Sequence, residues 1–378
     1  MRDHAHAHLN RGQLPVKSLK TENFRNLANQ EIQLAPTANV LVGRNGSGKT
    51  STLEAIYLAT SLRSFRQVRL RDVIRQGCDW SQVEITSGDV NTPLGQRVKI
   101  HGGGRTAWLG GRLVKKVSSY VVNCLSMAFT PDDLSMIKGS PERRRNFLDR
   151  ALMLHRADHL ERVRAFQRVL RSRNSLLKEK RPGYREMLDS YTEQLCRLAE
   201  PLSQARRQAV EQLAPLARRA YESISGTSEE MTVTYVSGSR RQGGEKGDLY
   251  QVLQAVRTRD ERLGYTSRGP QFDDLQMDIA GRDARKLASQ GEQRSCALAL
   301  LMAVVEWLRD MDGRLPVLLL DDVSSELDSG RRGRLFSRLL EMGNQVMLTT
   351  TDPQYASQLL AAEARLLEVD QGVIEAKR

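Results

Sequence analysis

Val40-Leu41-Val42-Gly43-Arg44-Asn45-Gly46-Ser47-Gly48-Lys49-Thr50-Ser51 is an apolar strand that runs into a glycine-rich turn and then into a helix. Gly43 to Thr50 fits the phosphate-loop pattern G-x-x-x-x-G-K-[ST]. Gly46 and Gly48 allow φ values closed to other residues, so successive N–H groups can face phosphate oxygens. The helix that follows adds the positive end of its dipole. Lys49 is spaced to reach the β- and γ-phosphates, and the Thr50 hydroxyl to hold Mg²⁺. Strand, loop and helix come in the expected order, so a chance glycine-rich turn is the weaker reading. Gly43, Arg44, Asn45, Gly46, Ser47, Gly48, Lys49, Thr50 and Ser51 are therefore assigned to a nucleoside triphosphate. ATP is preferred over GTP because no guanine-reading N-K-x-D element occurs in the second half.

Three further segments complete that chemistry. Val317 to Leu320 is a continuous apolar run, as expected of a strand buried in a parallel sheet, and it ends in Asp321-Asp322. Acids at the C-terminal end of such a strand can hold Mg²⁺ and polarise an attacking water. Asp321 is read as the magnesium residue and Asp322 as the general base. Leu287 to Arg294 precedes an apolar helix from Ser295 to Trp307. Ser289 would cap that helix, leaving its N-terminal N–H groups for an anion. Ser289, Gln290 and Gly291 stand shortly before the acidic strand, as the signature segment of ABC-type ATPases does, and are read as a second γ-phosphate contact. Ser325-Glu326-Leu327-Asp328 resembles the D-loop through which two such ATPase heads touch.

The whole chain has 378 residues, 39% of them hydrophobic, enough for two or more domains with a sizeable core. Lys plus Arg number 58 against 45 Asp plus Glu, a net charge of +13 that favours a polyanionic partner. Cys78, Cys124, Cys196 and Cys296 form no C-x-x-C and read as reduced packing thiols. No apolar run reaches ~18 residues and no apolar signal core opens the chain, so the reading is a soluble, cytoplasmic protein without a membrane span.

Four regions are expected: a disordered leader at 1–14, an N-terminal part of an ATPase lobe at 15–135, a helical arm at 136–228, and the C-terminal part of the lobe at 229–378. The alternating His4, His6 and His8 of the leader lack the companions a metal site needs. Short antiparallel strands are predicted at Trp80–Thr86, Gln96–Ile100 and Thr106–Leu109, and a longer strand at 121–129. Arg63, Arg66, Arg69, Arg71 and Arg75 form a basic stretch that is either a DNA-facing edge or a solvated face. Thr130 and Ser140 are placed to cap helices that begin at Pro131 and Pro141. From about His155 to Tyr221, apolar residues recur at three- and four-residue steps on either side of Arg181-Pro182-Gly183, which predicts a helical hairpin. Its first half carries Arg156, Arg162, Arg164, Arg168, Arg171, Arg173, Lys178, Lys180 and Arg181, read as the footprint of nucleic-acid contact in preference to a solvated coiled-coil face. Then follow a strand at Met231–Val236, a polar loop at 237–247, one helix at 248–264 and a strand at Leu275–Ile279.

The chain resembles the RecF family of ABC-type recombination-repair ATPases, related to SMC heads. Pro131 to Pro141 with Arg144-Arg145-Asn146-Phe147-Leu148-Asp149 is similar to one family hallmark, and Leu319-Leu320-Asp321-Asp322 through Asp328 to Leu335 to another. The resemblance implies an α/β ABC-type ATPase head, a mixed sheet with a phosphate loop, carrying an inserted helical-hairpin arm. It implies ATP and Mg²⁺ as cofactors and an ATP-dependent homodimer joining one subunit's phosphate loop to the other's signature segment. It further implies slow, DNA-stimulated hydrolysis, binding to single-stranded, duplex and gapped DNA, and action with RecR and RecO proteins in loading the recombinase. Three departures stand out. Gln271-Phe272 follow Gly269-Pro270 where the family usually has His-Arg. Thr349-Thr350-Thr351-Asp352 stand where ABC ATPases carry a switch histidine. No Q-loop glutamine follows Phe129, and Asp132 or Asp133 falls in its place. Competing readings are the ATP-binding subunit of a membrane transporter and a DNA clamp that binds ATP without hydrolysing it.

Overall fold

A strand that is apolar on both faces is stable only where helices or a second sheet cover both. Ala38–Val42 (β3), Ser126–Phe129 (β8), Val317–Leu320 (β12) and Val346–Thr350 (β13) are such strands, buried almost throughout. The computed structural model describes residues 14–66, 69–89, 92–134, 136–239, 248–323, 327–361 and 364–377. The chain divides into two units: Met1–Leu134 with Ser223–Gly226 and Val305–Arg378, and Ser135–Glu222 with Thr227–Val304.

The first unit holds two sheets. β3, β8, β12 and β13 pair in parallel, joined by Arg365–Asp370 (β14) and, antiparallel at the edge, Val373–Ala376 (β15), in the order β15-β14-β3-β13-β12-β8. The other sheet is antiparallel: Gln30–Gln33 (β2), Val16–Glu22 (β1), Trp80–Asp89 (β4), Thr92–His101 (β5), Gly104–Leu109 (β6) and Arg112–Leu113 (β7), in that spatial order. The helix Lys49–Ser61 buries Leu53 and Ile56 against both sheets, in one core with Val83, Ile85, Val98, Leu319 and Met347.

In the second unit the hairpin is formed by His159–Glu179 and by the helix Tyr184–Ser225, which ends in the first unit. Lys180 at φ +48° ends the first helix in the left-handed region. Phe166, Leu195, Ala199 and Leu202 pack with Leu249 and Leu253 of the helix Leu249–Ala255. Met231–Val236 (β9), Asp274–Ile279 (β10) and Arg282–Asp283 (β11) form a small antiparallel sheet. The mixed sheet and the hairpin are the α/β architecture expected of the sequence.

Several local expectations change. Residues 121–129 are not one strand: a helix, Val117–Val121, precedes β8. It turns Tyr120 inward, where the phenol donates to the Ala59 carbonyl at 2.6 Å. An apolar run alone does not distinguish buried helix from buried strand. The predicted helix at 248–264 is two, Leu249–Ala255 and Arg257–Leu263, broken at Val256. The basic row of the hairpin is not all solvent-facing. Arg173 is buried, with its guanidinium on Asp260 at 3.1 Å, Thr266 at 2.7 Å and Thr192 at 3.0 Å. Of the basic stretch after the phosphate loop, Arg66 lies 3.6 Å from the buried Glu54, and Arg75 donates to the Leu27 carbonyl. The leader at 1–13, residues 240–247 of the polar loop, and Ser325 and Glu326 of the D-loop lie outside the described residues.

Candidate nucleotide-binding site

β3 delivers the chain into the phosphate loop, and Gly48 (φ +122°) begins the helix at Lys49. Gly46 has φ +81°, a conformation glycine takes without a Cβ penalty. Gly43 is needed for closeness instead: a Cβ there would overlap the Val369 carbonyl oxygen of β14. The Lys49 ammonium donates to the loop's own carbonyls, Gly43 at 2.6 Å and Arg44 at 3.0 Å. A cation held only by carbonyl oxygens at the mouth of a ring of N–H groups is placed to meet phosphate. Ser47 Oγ is buried with no hydrogen-bond partner among the described residues.

Four residues brought together across the sheet form the acidic half. The Thr50 hydroxyl donates to Asp321 Oδ1 at 2.8 Å, and the Thr349 hydroxyl to the same oxygen at 2.9 Å. Asp322 follows at φ +50°, its N–H donating to Thr349 Oγ1 at 2.9 Å. The parallel register of β12 beside β13, with Leu320 opposite Leu348, sets Asp321 and Thr349 level at the strand ends. Burial raises the Asp321 carboxyl above its ordinary value, partly offset by the Thr50 and Thr349 hydroxyls. Burial likewise lowers Lys49, opposed by the charges of Asp322 and Asp321. The residues fit Mg²⁺: Thr50 Oγ1 and Asp321 Oδ1 are hard oxygens 2.8 Å apart, close to the ~2.9 Å between adjacent ligands of an octahedral ion bound at about 2.1 Å.

Residues with no nucleotide motif of their own frame the loop. Asn26 donates to the Gly46 carbonyl at 3.0 Å and accepts from Ser51 Oγ at 2.9 Å. The turn between β14 and β15 closes the other side, Gly372 N–H donating to the Ser47 carbonyl at 2.7 Å. A Cβ at Gly372 (φ +86°) would overlap the Asn26 carbonyl oxygen. Arg25 grips Glu54 of the loop's helix through two bonds, at 3.0 and 2.8 Å. The sequence signal for these was slight: the polar cluster Asn23-Phe24-Arg25-Asn26, and a Gln-Gly turn between two short strands.

Ser289, Gln290 and Gly291 belong to the second unit. Ser289 does cap the helix Gln290–Asp312, as a reciprocal box: its N–H donates to Glu292 Oε2 at 2.6 Å and its Oγ accepts from the Glu292 N–H at 3.3 Å. In the same unit the hallmark residues Asp149 and Arg144 are internal ties. Arg206 makes two bonds to Asp149, at 2.9 and 2.7 Å, and one to Asp273 at 2.9 Å, and His159 lies 3.0 Å from Asp149. Arg144 grips Asp274 at 2.6 and 2.9 Å and reaches the carbonyls of Met136, Ile137 and Gly139. Burial pushes Asp149 up, but bonds from His159 and Arg206 overcome it and hold the carboxyl below its ordinary value. Gln271, in the place of the family's usual histidine, donates to the carbonyls of Thr266 at 3.2 Å and Arg268 at 2.9 Å. Asp133 accepts from the N–H and hydroxyl of Thr130, both at 3.0 Å. Burial pushes the Cys124 and Cys296 thiols up to about 12, consistent with packing.

A family model for the RecF/RecN/SMC N-terminal domain matches residues 15–375. The DNA replication and repair protein RecF of Anaeromyxobacter sp. (strain Fw109-5) is 39% identical over 370 residues, covering 96% of this chain and 99% of that protein. The protein of the same name from Halalkalibacterium halodurans is 31% identical over 369 residues, covering 96% and 99%. Among solved structures, that of the recombination mediator protein RecF-ATPrS in the RecFOR pathway is similar at a TM-score of 0.86 and 26% identity, covering 97% of this chain and 99% of that one. An SMC head bound to the C-terminal winged-helix domain of ScpA shares the fold at a TM-score of 0.57 and 17% identity, covering 96% and 97%.

Proposed function

The chain belongs to the RecF family of DNA replication and repair proteins, within the ABC-type ATPase heads of the RecF/RecN/SMC group, and on that premise we propose that it is an ATP-driven DNA clamp with slow hydrolysis. One observation carries the reading. Thr50, Asp321, Thr349 and Asp322 form a continuous chain of hydrogen bonds at the mouth of the phosphate loop. Thr50 and Asp321 would hold Mg²⁺, which when bound neutralises charge on the β- and γ-phosphates. Lys49 would leave the Gly43 and Arg44 carbonyls for the γ-phosphate, and Asp322 would orient the attacking water.

The γ-phosphate would meet Ser289, Gln290 and Gly291 of a second copy, so that ATP joins two chains and closes them on DNA. Single-stranded, duplex and gapped DNA are the expected substrates, with RecR and RecO proteins as partners in loading a recombinase. Turnover is expected to be slow and stimulated by DNA. Thr349 supports this, because its hydroxyl is committed to Asp321 and Asp322 and offers no imidazole to polarise the γ-phosphate. Sedimentation and gel shift with ATP should yield a DNA-bound dimer that Lys49→Met abolishes. A Lys49→Met chain that still dimerises on ATP would sink the mechanism. The same commitment of Thr349 favours a second reading, a clamp that binds ATP and does not cleave it. Equal, background phosphate release from wild type and Asp322→Asn would select that reading.

A further inference from the structure

The antiparallel sheet of the first unit turns one face to its core, and on the other face Trp80, Arg97, Lys99 and Trp108 are half-buried. Val98 and Ile100 of β5 point inward, so Arg97, Lys99 and His101 point outward, by the two-residue alternation of a strand. Directly opposed residues share a face. Trp108 on β6 opposes Arg97, and Trp80 on β4 opposes His101. Two of the chain's three tryptophans therefore stand on this outer face, while Trp307 is 3% exposed.

Each indole carries a cation from the strand between them. The Arg97 guanidinium carbon lies 4.5 Å from the Trp108 ring centroid, and Lys99 Nζ lies 4.4 Å from that of Trp80. Neither cation has an acid within ion-pair distance among the described residues. Of the acids of this face, Glu22 and Glu31 lie on β1 and β2, where Lys20 pairs with Glu22 at 3.2 Å, and Glu84 on β4 stands opposite Arg97 without an ion pair to it. Residues 92–131 contain no Asp or Glu, but hold Arg97, Lys99, Arg105, Arg112, Lys115 and Lys116. Arg112, Lys115 and Lys116 are exposed. An acid-free run with paired aromatic and cationic side chains on an open sheet matches a strand of unstacked bases. Phosphates would meet the cations, and bases would stack on the indoles.

We propose that Trp80, Arg97, Lys99 and Trp108 form a stacking platform for single-stranded nucleic acid. The proposal rests on the DNA-binding reading above and locates one contact surface for it, apart from the helical hairpin. Saturating oligo-dT should quench the tryptophan fluorescence of the full chain at low salt. Trp108→Ala and Trp80→Ala should each weaken oligo-dT binding, read by anisotropy, by roughly tenfold. Trp108→Phe should restore most of the loss, since a phenyl ring still stacks. Lys99→Gln should reduce the slope of log affinity against log salt by about one.

Each variant is checked for wild-type ATP binding. If the alanine variants do not fold, Trp108→Phe and Lys99→Gln carry the test through quenching and salt slope. Wild-type oligo-dT affinity in the folded variants, or no quenching, overturns the platform. Weakened duplex binding with unchanged oligo-dT binding overturns the single-strand assignment. A wild-type chain that binds neither oligo-dT nor duplex sinks the DNA reading itself, and the platform with it. Duplex binding that survives all four substitutions, beside unchanged oligo-dT binding, leaves that reading standing and removes only the platform.

Discussion

Lys49 and Asp321 are poised by opposite errors of environment. Burial costs each of them its charged form, lowering the lysine and raising the acid. Both must be charged to hold phosphate and Mg²⁺. Affinity for Mg·ATP should therefore fall on acidification before the pH reaches the ordinary Asp value of about 3.9, and on alkalinisation before the Lys value of about 10.4. Calorimetric titration across pH checks this, and a profile flat between those two values would refute it. An acid whose native value is raised contributes stability at low pH that is lost as the pH rises through that value. Asp321→Asn should accordingly raise the melting temperature of the nucleotide-free chain at neutral pH while abolishing Mg²⁺-dependent binding. Gly372→Ala should also remove ATP binding, although it lies far from the loop in sequence, because the new methyl displaces Asn26. Retained binding in that variant would mean that the frame around the loop is dispensable.

At the scale of elements, the hairpin was legible because apolar residues at three- and four-residue steps face one another across Arg181-Pro182-Gly183. What its arginines do was not legible. Arg173 and Arg206 share composition and spacing with the exposed arginines around them, and their burial depends on Asp260, Asp149 and Asp273, which arrive from elsewhere in the chain. Removing one partner of a buried pair strands the other's charge, at a cost of about 3–5 kcal/mol. Arg206→Met should therefore destabilise the second unit by that amount in denaturant unfolding, since it leaves Asp149 and Asp273 facing each other. Arg164→Ala, at an exposed position of the hairpin, should change stability by less than about 0.5 kcal/mol. Similar losses in the two variants would contradict the division between tying and solvent-facing arginines. The phosphate loop, the acidic strand and the cap at Ser289 were readable because each is fixed by local backbone chemistry. The turn at Gly372 was not, since nothing within ten residues of it names the loop it supports.

On the scale of the molecule, ATP is expected to be the bond between two copies, so dimer and nucleotide should appear together in sedimentation and vanish together in Lys49→Met. The central parallel sheet has one more implication, for how the chain comes into being. β3 ends at Val42, yet its two sheet neighbours begin only at Val346 and Arg365. During translation the strand that carries the phosphate loop is made among the first and stays without a partner on either edge until almost all the rest has emerged. An apolar strand kept waiting so long is exposed to mispairing and is slow to fold, because distant contacts must close first. A nascent chain arrested before β13 should therefore fail to bind ATP despite an intact loop, and should engage holding chaperones. Ribosome-bound chains of stepped length, tested for nucleotide cross-linking, should gain the signal only once β14 is out.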